Sequence, residues 1–297
     1  MKTQFKLVLL LGLLFICKSS EVHAGLSGSV GYDILPYQDI DEPIKLQNDS
    51  LIDDAQVRIS KINFTLEYPV IYAQGRTILF HQLAYQNMQF DYKKTESILH
   101  QLHRVSYTAT MIRQLTEKWS MIAMVNPSIA SDFEEGLTSE DMSFQAAAIF
   151  KINYSPKLSI GYGLAYSTQF GTAIPLPLIM IEWNNGGKWS LSSTLPANLE
   201  LWYQSSEKVK LGLLIRSDGD NYHFDPQGYQ VERPELRYIM MTFGPAAHIS
   251  FSKKATLKIE TGIIGLHRFE FYSGDEEIIS NDLKPSGFAR AGLQLEF

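Results

Sequence analysis

Cysteine is nearly missing from this chain of 297 residues, and the single one, Cys17, allows neither an internal disulfide nor a thiolate metal cluster. Long apolar runs are missing as well. The longest, Leu7 to Cys17, is 11 residues, whereas a helix needs about 18–20 to cross a bilayer. Crossing by helices is thereby excluded. There is no basic excess either: 26 Lys and Arg stand against 32 Asp and Glu, a formal charge of −6, which argues against nucleic acid as a partner. Seven histidines leave little for metal chemistry.

What is present begins with Lys2 and Lys6, followed by the apolar run and a polar stretch ending Val22-His23-Ala24. That charge, core length and small-residue cut site predict a secretory signal peptide over residues 1–24, cleaved near Ala24. Ile16 stands where a lipoprotein signal would carry a small residue, so Cys17 is not read as a lipidation site. Removing Lys2, Lys6, Lys18 and Glu21 leaves 23 basic and 31 acidic residues, a formal charge of −8, on a mature domain of residues 25–297 with no cysteine.

Past residue 25 apolar and polar residues alternate with period two, the repeat of strands. Turn-forming clusters, Ala73-Gln74-Gly75-Arg76, Thr116-Glu117-Lys118, Ser155-Pro156-Lys157, Asn184-Asn185-Gly186-Gly187, Ser205-Ser206-Glu207 and Ser252-Lys253-Lys254, mark short connections. Connections that tend to be longer fall between them, at 35–54, 93–98, 131–142, 171–176, 194–196, 217–234 and 272–286. The strands left over are 26–34, 56–72, 77–92, 100–114, 119–130, 143–154, 158–170, 177–183, 188–193, 197–204, 208–216, 235–251, 255–271 and 287–297. Fourteen strands with alternating short and long connections describe an all-β fold, a transmembrane antiparallel up-and-down β-barrel of the outer membrane. Merging 177–183 with 188–193 would give 12, and in 77–92 the pair Ile78 and Phe80 competes with Leu79 and Leu83 for the lipid face.

A soluble sandwich also alternates, so the aromatic residues decide. Tyr72, Trp119, Tyr154, Trp183, Trp189, Tyr203, Phe251 and Phe297 sit on the apolar face within a residue or two of a short turn or the chain end, as in an interfacial girdle. The tail "GFARAGLQLEF" puts Leu293, Leu295 and Phe297 on one face. It looks like the signature by which the barrel-assembly machinery takes up its precursors, and its strand must pair with the first to leave no open edge in lipid.

Three stretches, "QLTEKWSMIAMVNPSIASDF" (114–133), "TSEDMSFQAAAIF" (138–150) and "GYGLAYSTQFGTAIPLPLIMIEWNNGGKWSL" (161–191), resemble an uncharacterised outer-membrane β-barrel family, a domain of unknown function found in Gram-negative bacteria such as Bacteroidetes. The resemblance spans most of the mature chain and implies fold and location, with no activity to carry over to any residue.

Charged side chains cannot face lipid at the midplane, where Lys or Arg costs ~2–4 kcal/mol. The predicted lumen lining is therefore Arg58, Arg104, Lys151, Glu182, Glu200, Trp202, Lys208, Lys210, Arg216, Lys258, Glu260, Arg268, Glu270 and Arg290. Both signs occur on neighbouring strands, which predicts a narrow or partly occluded channel for small solutes. The alternative is a non-conducting structural or surface-interaction barrel plugged by ion pairs. A lipid hydrolase ranks third: His248 and Ser250 share a face, but that face is the lumen and no orienting acid is visible. Three residues apart, His100 and His103 point to opposite faces of a strand and are not read as a metal pair. The acidic loops at 131–141 and 273–282 offer hard oxygen ligands for a divalent cation shared with lipopolysaccharide phosphate, whereas 217–228 resembles a calcium loop only loosely. No cofactor, catalytic residue or resident metal is expected, and outer-membrane lipid, including lipopolysaccharide, is the expected surrounding partner.

Overall fold

The computed structural model describes residues 25–39, 44–45, 51–52, 56–94, 99–134, 136–168, 173–224, 234–273 and 276–297. Residues 1–24, expected to be a signal peptide, and parts of several long connections lie outside these residues. Fourteen strands close into one antiparallel barrel. They are β1 (Ser27–Ile34), β2 (Gln56–Tyr72), β3 (Thr77–Lys93), β4 (Gln101–Gln114), β5 (Trp119–Ser131), β6 (Met142–Ser155) and β7 (Leu158–Ser167), then β8 (Ile174–Asn184), β9 (Trp189–Leu195), β10 (Asn198–Gln204), β11 (Val209–His223), β12 (Glu235–Ser252), β13 (Ala255–Ser273) and β14 (Ser286–Glu296). Each pairs with its neighbours in sequence. Closure comes from β1 against β14, with Ser27 opposite Glu296 and Ile34 opposite Ala289, and from β1 against β2.

The alternation therefore counts 14 strands, not 12. The expected short turns are where the sequence put them, and the one after β2 needs left-handed backbone at Ala73, Gln74 and Gly75. The long connections are partly strand. Gln38–Asp39 pairs with the start of β2, Glu276–Asp282 pairs with the end of β13, and β11 runs on to His223, seven residues past its expected end at 216.

The outer wall is apolar: Val30, Phe64, Phe150, Tyr162, Leu164, Ile179, Leu213, Phe243 and Ile263 are all exposed on it. In a sealed barrel this surface meets acyl chains, since no other element among the described residues covers it. Trp119, Tyr154, Trp183, Trp189, Phe251 and Phe297 are exposed near the short turns, with Tyr72 and Tyr203 half-buried beside them. In β3 the competition resolves with Met88 and Phe90 buried inside and Tyr85 opposite outward Phe64, so Ile78 and Phe80 share the lumen face.

One irregularity changes what faces where. Met241 of β12 pairs with Leu266 of β13 while the adjacent Thr242 pairs with Ile264, so Gly265 is an extra residue, a β-bulge. Inward parity switches there from even to odd. Below it Lys258, Glu260 and Ile264 point inward; above it His267 and Phe269 do.

Candidate functional site: a charged chamber under an apolar seal

The short-turn half of the lumen is polar because small inward residues leave room for long charged ones. Gly161 and Gly163 of β7 face inward, and any side chain at Gly212 would place its Cβ 2.5 Å from the Trp202 ring. Trp202, predicted to line the lumen, does so at 3% exposure; its Nε1 donates to Glu200 Oε2 at 2.9 Å, and Lys210 stands 4.7 Å over its ring. His248 packs 4.3 Å from the same ring, in register between Lys210 and Lys258.

From there a continuous ion-pair ladder follows the inner wall. Glu200 takes Arg216 at 3.0 Å, Arg216 reaches Glu260 at 3.3 Å, Arg290 bridges Glu260 at 3.4 Å and Asp33 at 2.9 Å. Farther round, Lys151 donates to Glu182 at 2.9 Å. These groups leave a cavity of about 580 Å³, whose lining includes Asp33, Arg216, Asp218, Lys258, Glu260 and Arg290.

Two further pairs cross the lumen. Lys61 of β2 donates to Asp218 of β11 at 2.7 Å, and Arg104 of β4 to Asp220 of β11 at 2.8 Å. Strands β4 and β11 are seven apart in either direction around the barrel, so the second pair spans the full interior. Tyr222 Oη also donates to Asp220, and the Lys61 ammonium lies 4.3 Å over the Tyr238 ring. At its far end β11 leans across until His223 pairs with Ser131 of β5.

Above these braces the interior is apolar. Leu35, Val57, Ile59, Met88, Phe90, Leu102, Tyr222, Leu236, Tyr238, Met240, Ile264, Phe269 and Phe288 form one buried cluster inside the barrel on the long-loop side. Edge-on aromatic contacts, Phe90 to Phe269 at 5.8 Å and Tyr238 to Phe269 at 5.4 Å, lock it. Inside a barrel, such packing is a seal.

Four predicted lining residues belong elsewhere. Arg58 shares the outer face of β2 with Phe64, because the inward face there is the apolar set Val57 and Ile59; it bonds Asp91 at 2.5 Å beside Tyr37. The Tyr37 hydroxyl donates to the same carboxylate at 2.7 Å. Arg268 and Glu270 face outward, paired to each other at 3.5 Å, because the Gly265 bulge reverses parity before them. Lys208 lies in the β10–β11 turn, exposed at the barrel's end. Conversely, Asp33, Lys61, Asp218 and Asp220 were not expected. Asp218 and Asp220 continue the even-numbered face of Lys210 and Arg216, Asp33 continues that of Ser29 and Gly31, and only Lys61 was hidden, by apolar neighbours on its own face.

The remaining candidates resolve as structure. Of 217–228, Asp218 and Asp220 are taken by the cross-lumen pairs, and residues 225–228 lie outside the described set. In the loop 131–141, Asp141 accepts from the Thr138 amide at 2.6 Å and Asp132 from the Glu134 amide at 3.1 Å; the side chains of 273–282 lie outside the described set. His103 is on the outer wall, hydrogen-bonded to the Tyr85 hydroxyl at 2.8 Å.

The profile of a domain of unknown function, DUF6268, matches residues 72–295. The chain belongs to the DUF6268 family. No curated protein sequence matches it. Among solved structures it is similar to the COG4313 outer membrane channel from Pseudomonas putida F1, at 13% identity over 94% of this chain and 99% of that one, TM-score 0.45. It is also similar to the toluene transporter TodX of P. putida, at 9% identity over 92% and 90%, TM-score 0.43. A third similar structure is the translocator domain of the autotransporter NalP from Neisseria meningitidis, at 10% identity over 100% and 97%, TM-score 0.39. This DUF6268 chain is a closed antiparallel β-barrel with a charged chamber under an apolar seal.

Proposed function

We propose that the protein is a gated passage for small solutes across the outer membrane, closed in this arrangement. The observation that carries this reading is the chamber of about 580 Å³ lying under a seal that is held by ion pairs across the lumen. A lumen meant only as filling has no reason to keep open space; a passage needs it, with charges of both signs to replace the hydration of what enters. Apolar packing above the braces supports a closure that opens by a shift of β11, the strand that carries Asp218 and Asp220. The test is single-channel current from the refolded mature chain in a planar bilayer, with Asp220→Asn and Lys258→Glu alongside. Brief steps in the native chain, longer ones in Asp220→Asn, and ion selectivity moved by Lys258→Glu are expected. Silence from all three, with insertion shown by protease protection, overturns it. The second reading, a non-conducting structural barrel, is favoured by the unbroken run of ion pairs from Glu200 through Arg216, Glu260 and Arg290 to Asp33.

A further inference from the structure

Around the barrel the strands differ greatly in length. β12 and β13 have 18 and 19 residues and β2 and β3 have 17 each, whereas β9 and β10 have seven each. A tilted strand needs about 9–11 residues to cross the hydrocarbon layer. The β9–β10 hairpin therefore ends inside it.

Three independent features agree. The hairpin tip, Leu195, Pro196 and Ala197, is apolar and exposed, with no charged residue to meet water. The lipid-facing wall continues above the tip: Leu195 is level with Ile179 and Tyr162, and beyond Tyr162 lie exposed Leu164 and Tyr166. On the other flank the Ser217 amide donates to Ala197 O, which sets the tip level with Met241 of β12, also exposed on the outer wall.

Both strands that flank the hairpin run on past it. β8 pairs with β9 only from Ile179 onward, leaving 174–178 without a partner strand on that side among the described residues. Pro175 and Pro177 fall in that stretch, and proline, having no N–H to give, belongs to an edge strand. β11 likewise pairs with β10 only up to Arg216, and the alternation that aims the Ser217 amide at Ala197 aims those of Gly219 and Asn221 past the end of β10. Open backbone at membrane depth is tolerated only where it lines a water-filled cavity or is covered by protein. The charged chamber borders that place from the β10 and β11 side only: its lining includes Glu200, Arg216, Ser217 and Asp218 and no residue of β8 or β9.

We infer that the wall between β8 and β11, above the β9–β10 tip, is a lateral window that joins the chamber to the loop-side leaflet and admits a small amphiphile dissolved in the bilayer. This rests on the reading of the chamber as a passage and names its entrance and substrate class. The apolar body passes Pro177, Leu178 and Leu195; the polar end meets Asp218 and Arg216. A volume of about 580 Å³ is within the range that holds a drug-sized molecule.

Leu178 and Ile149 make a matched pair for the test. Both are buried and face inward at one height, since Leu178 pairs with Gly163 and Gly163 with Ile149. Bimane is attached at Leu178→Cys or Ile149→Cys in the mature chain, which has no other cysteine, and quenched in vesicles by phospholipid carrying a nitroxide on its acyl chain. Lipid quenching at 178 with none at 149 is expected; equal quenching at both overturns the window. A chain with β9 and β10 each lengthened by two residues, which needs no buried label, is compared for binding of 11-(dansylamino)undecanoate. Saturable binding by the native chain, about tenfold weaker in the lengthened one, supports the inference, and unchanged affinity overturns it. Bilayer currents that stay silent while both results hold would overturn the passage and leave the window.

Discussion

Replacing either member of the Lys61–Asp218 pair should have unequal costs, and the inequality follows from burial. The Lys61 side chain is 2% accessible and is held by Asp218 at 2.7 Å and the Tyr238 ring at 4.3 Å. Asp218→Asn strands that ammonium among Val57, Ile59 and Tyr238, a loss of about 3–5 kcal/mol. Asp218 is 40% accessible and opens on the chamber. Lys61→Met therefore leaves a carboxylate that water can reach, and the methionine fills the apolar space. The loss is one charge-assisted hydrogen bond, about 1.5–3 kcal/mol, offset in part by better packing, for a net cost of about 1 kcal/mol. The double variant should come within about 1 kcal/mol of the native barrel. Urea titration in phospholipid vesicles, followed by girdle tryptophan fluorescence, measures all four corners of the cycle. If Lys61→Met proved as costly as Asp218→Asn, the buried-charge argument and the brace it describes would be wrong.

Gly212→Ala should cost about 1–3 kcal/mol in the same titration, because its Cβ would fall 2.5 Å from the Trp202 ring and push that ring off Glu200; near-ultraviolet circular dichroism should change with it. Deleting Gly265 removes the extra residue and leaves a regular strand, with Leu266 still opposite Met241, His267 and Phe269 still inward and Arg268 and Glu270 still outward. The folded band on an unheated denaturing gel should be kept, and its loss would refute the placement of Gly265 as the extra residue.

The sequence by itself determined the barrel. Period-two alternation, turn clusters at Gly75, Pro156 and Gly186, and aromatic residues beside them are local properties, and strand pairing between neighbours follows from them without knowledge of the interior. On the turn-side half of the lumen the same parity placed Glu200, Arg216, Glu260 and Arg290, because there one face is apolar and the other charged, and lipid admits only one of them. Tertiary structure alone decided the other half. There both faces of β2 and β13 carry apolar residues, so alternation cannot tell lumen from lipid: Val57 and Ile59 look like a lipid face and are the seal. One inserted residue, Gly265, reverses every side chain after it, and no sequence period announces a bulge until the partner strand fixes the register. The cross-lumen pairs were beyond reach for a related reason. They depend on which distant strands face each other, and closure of 14 strands sets that, not any stretch of neighbours along the chain.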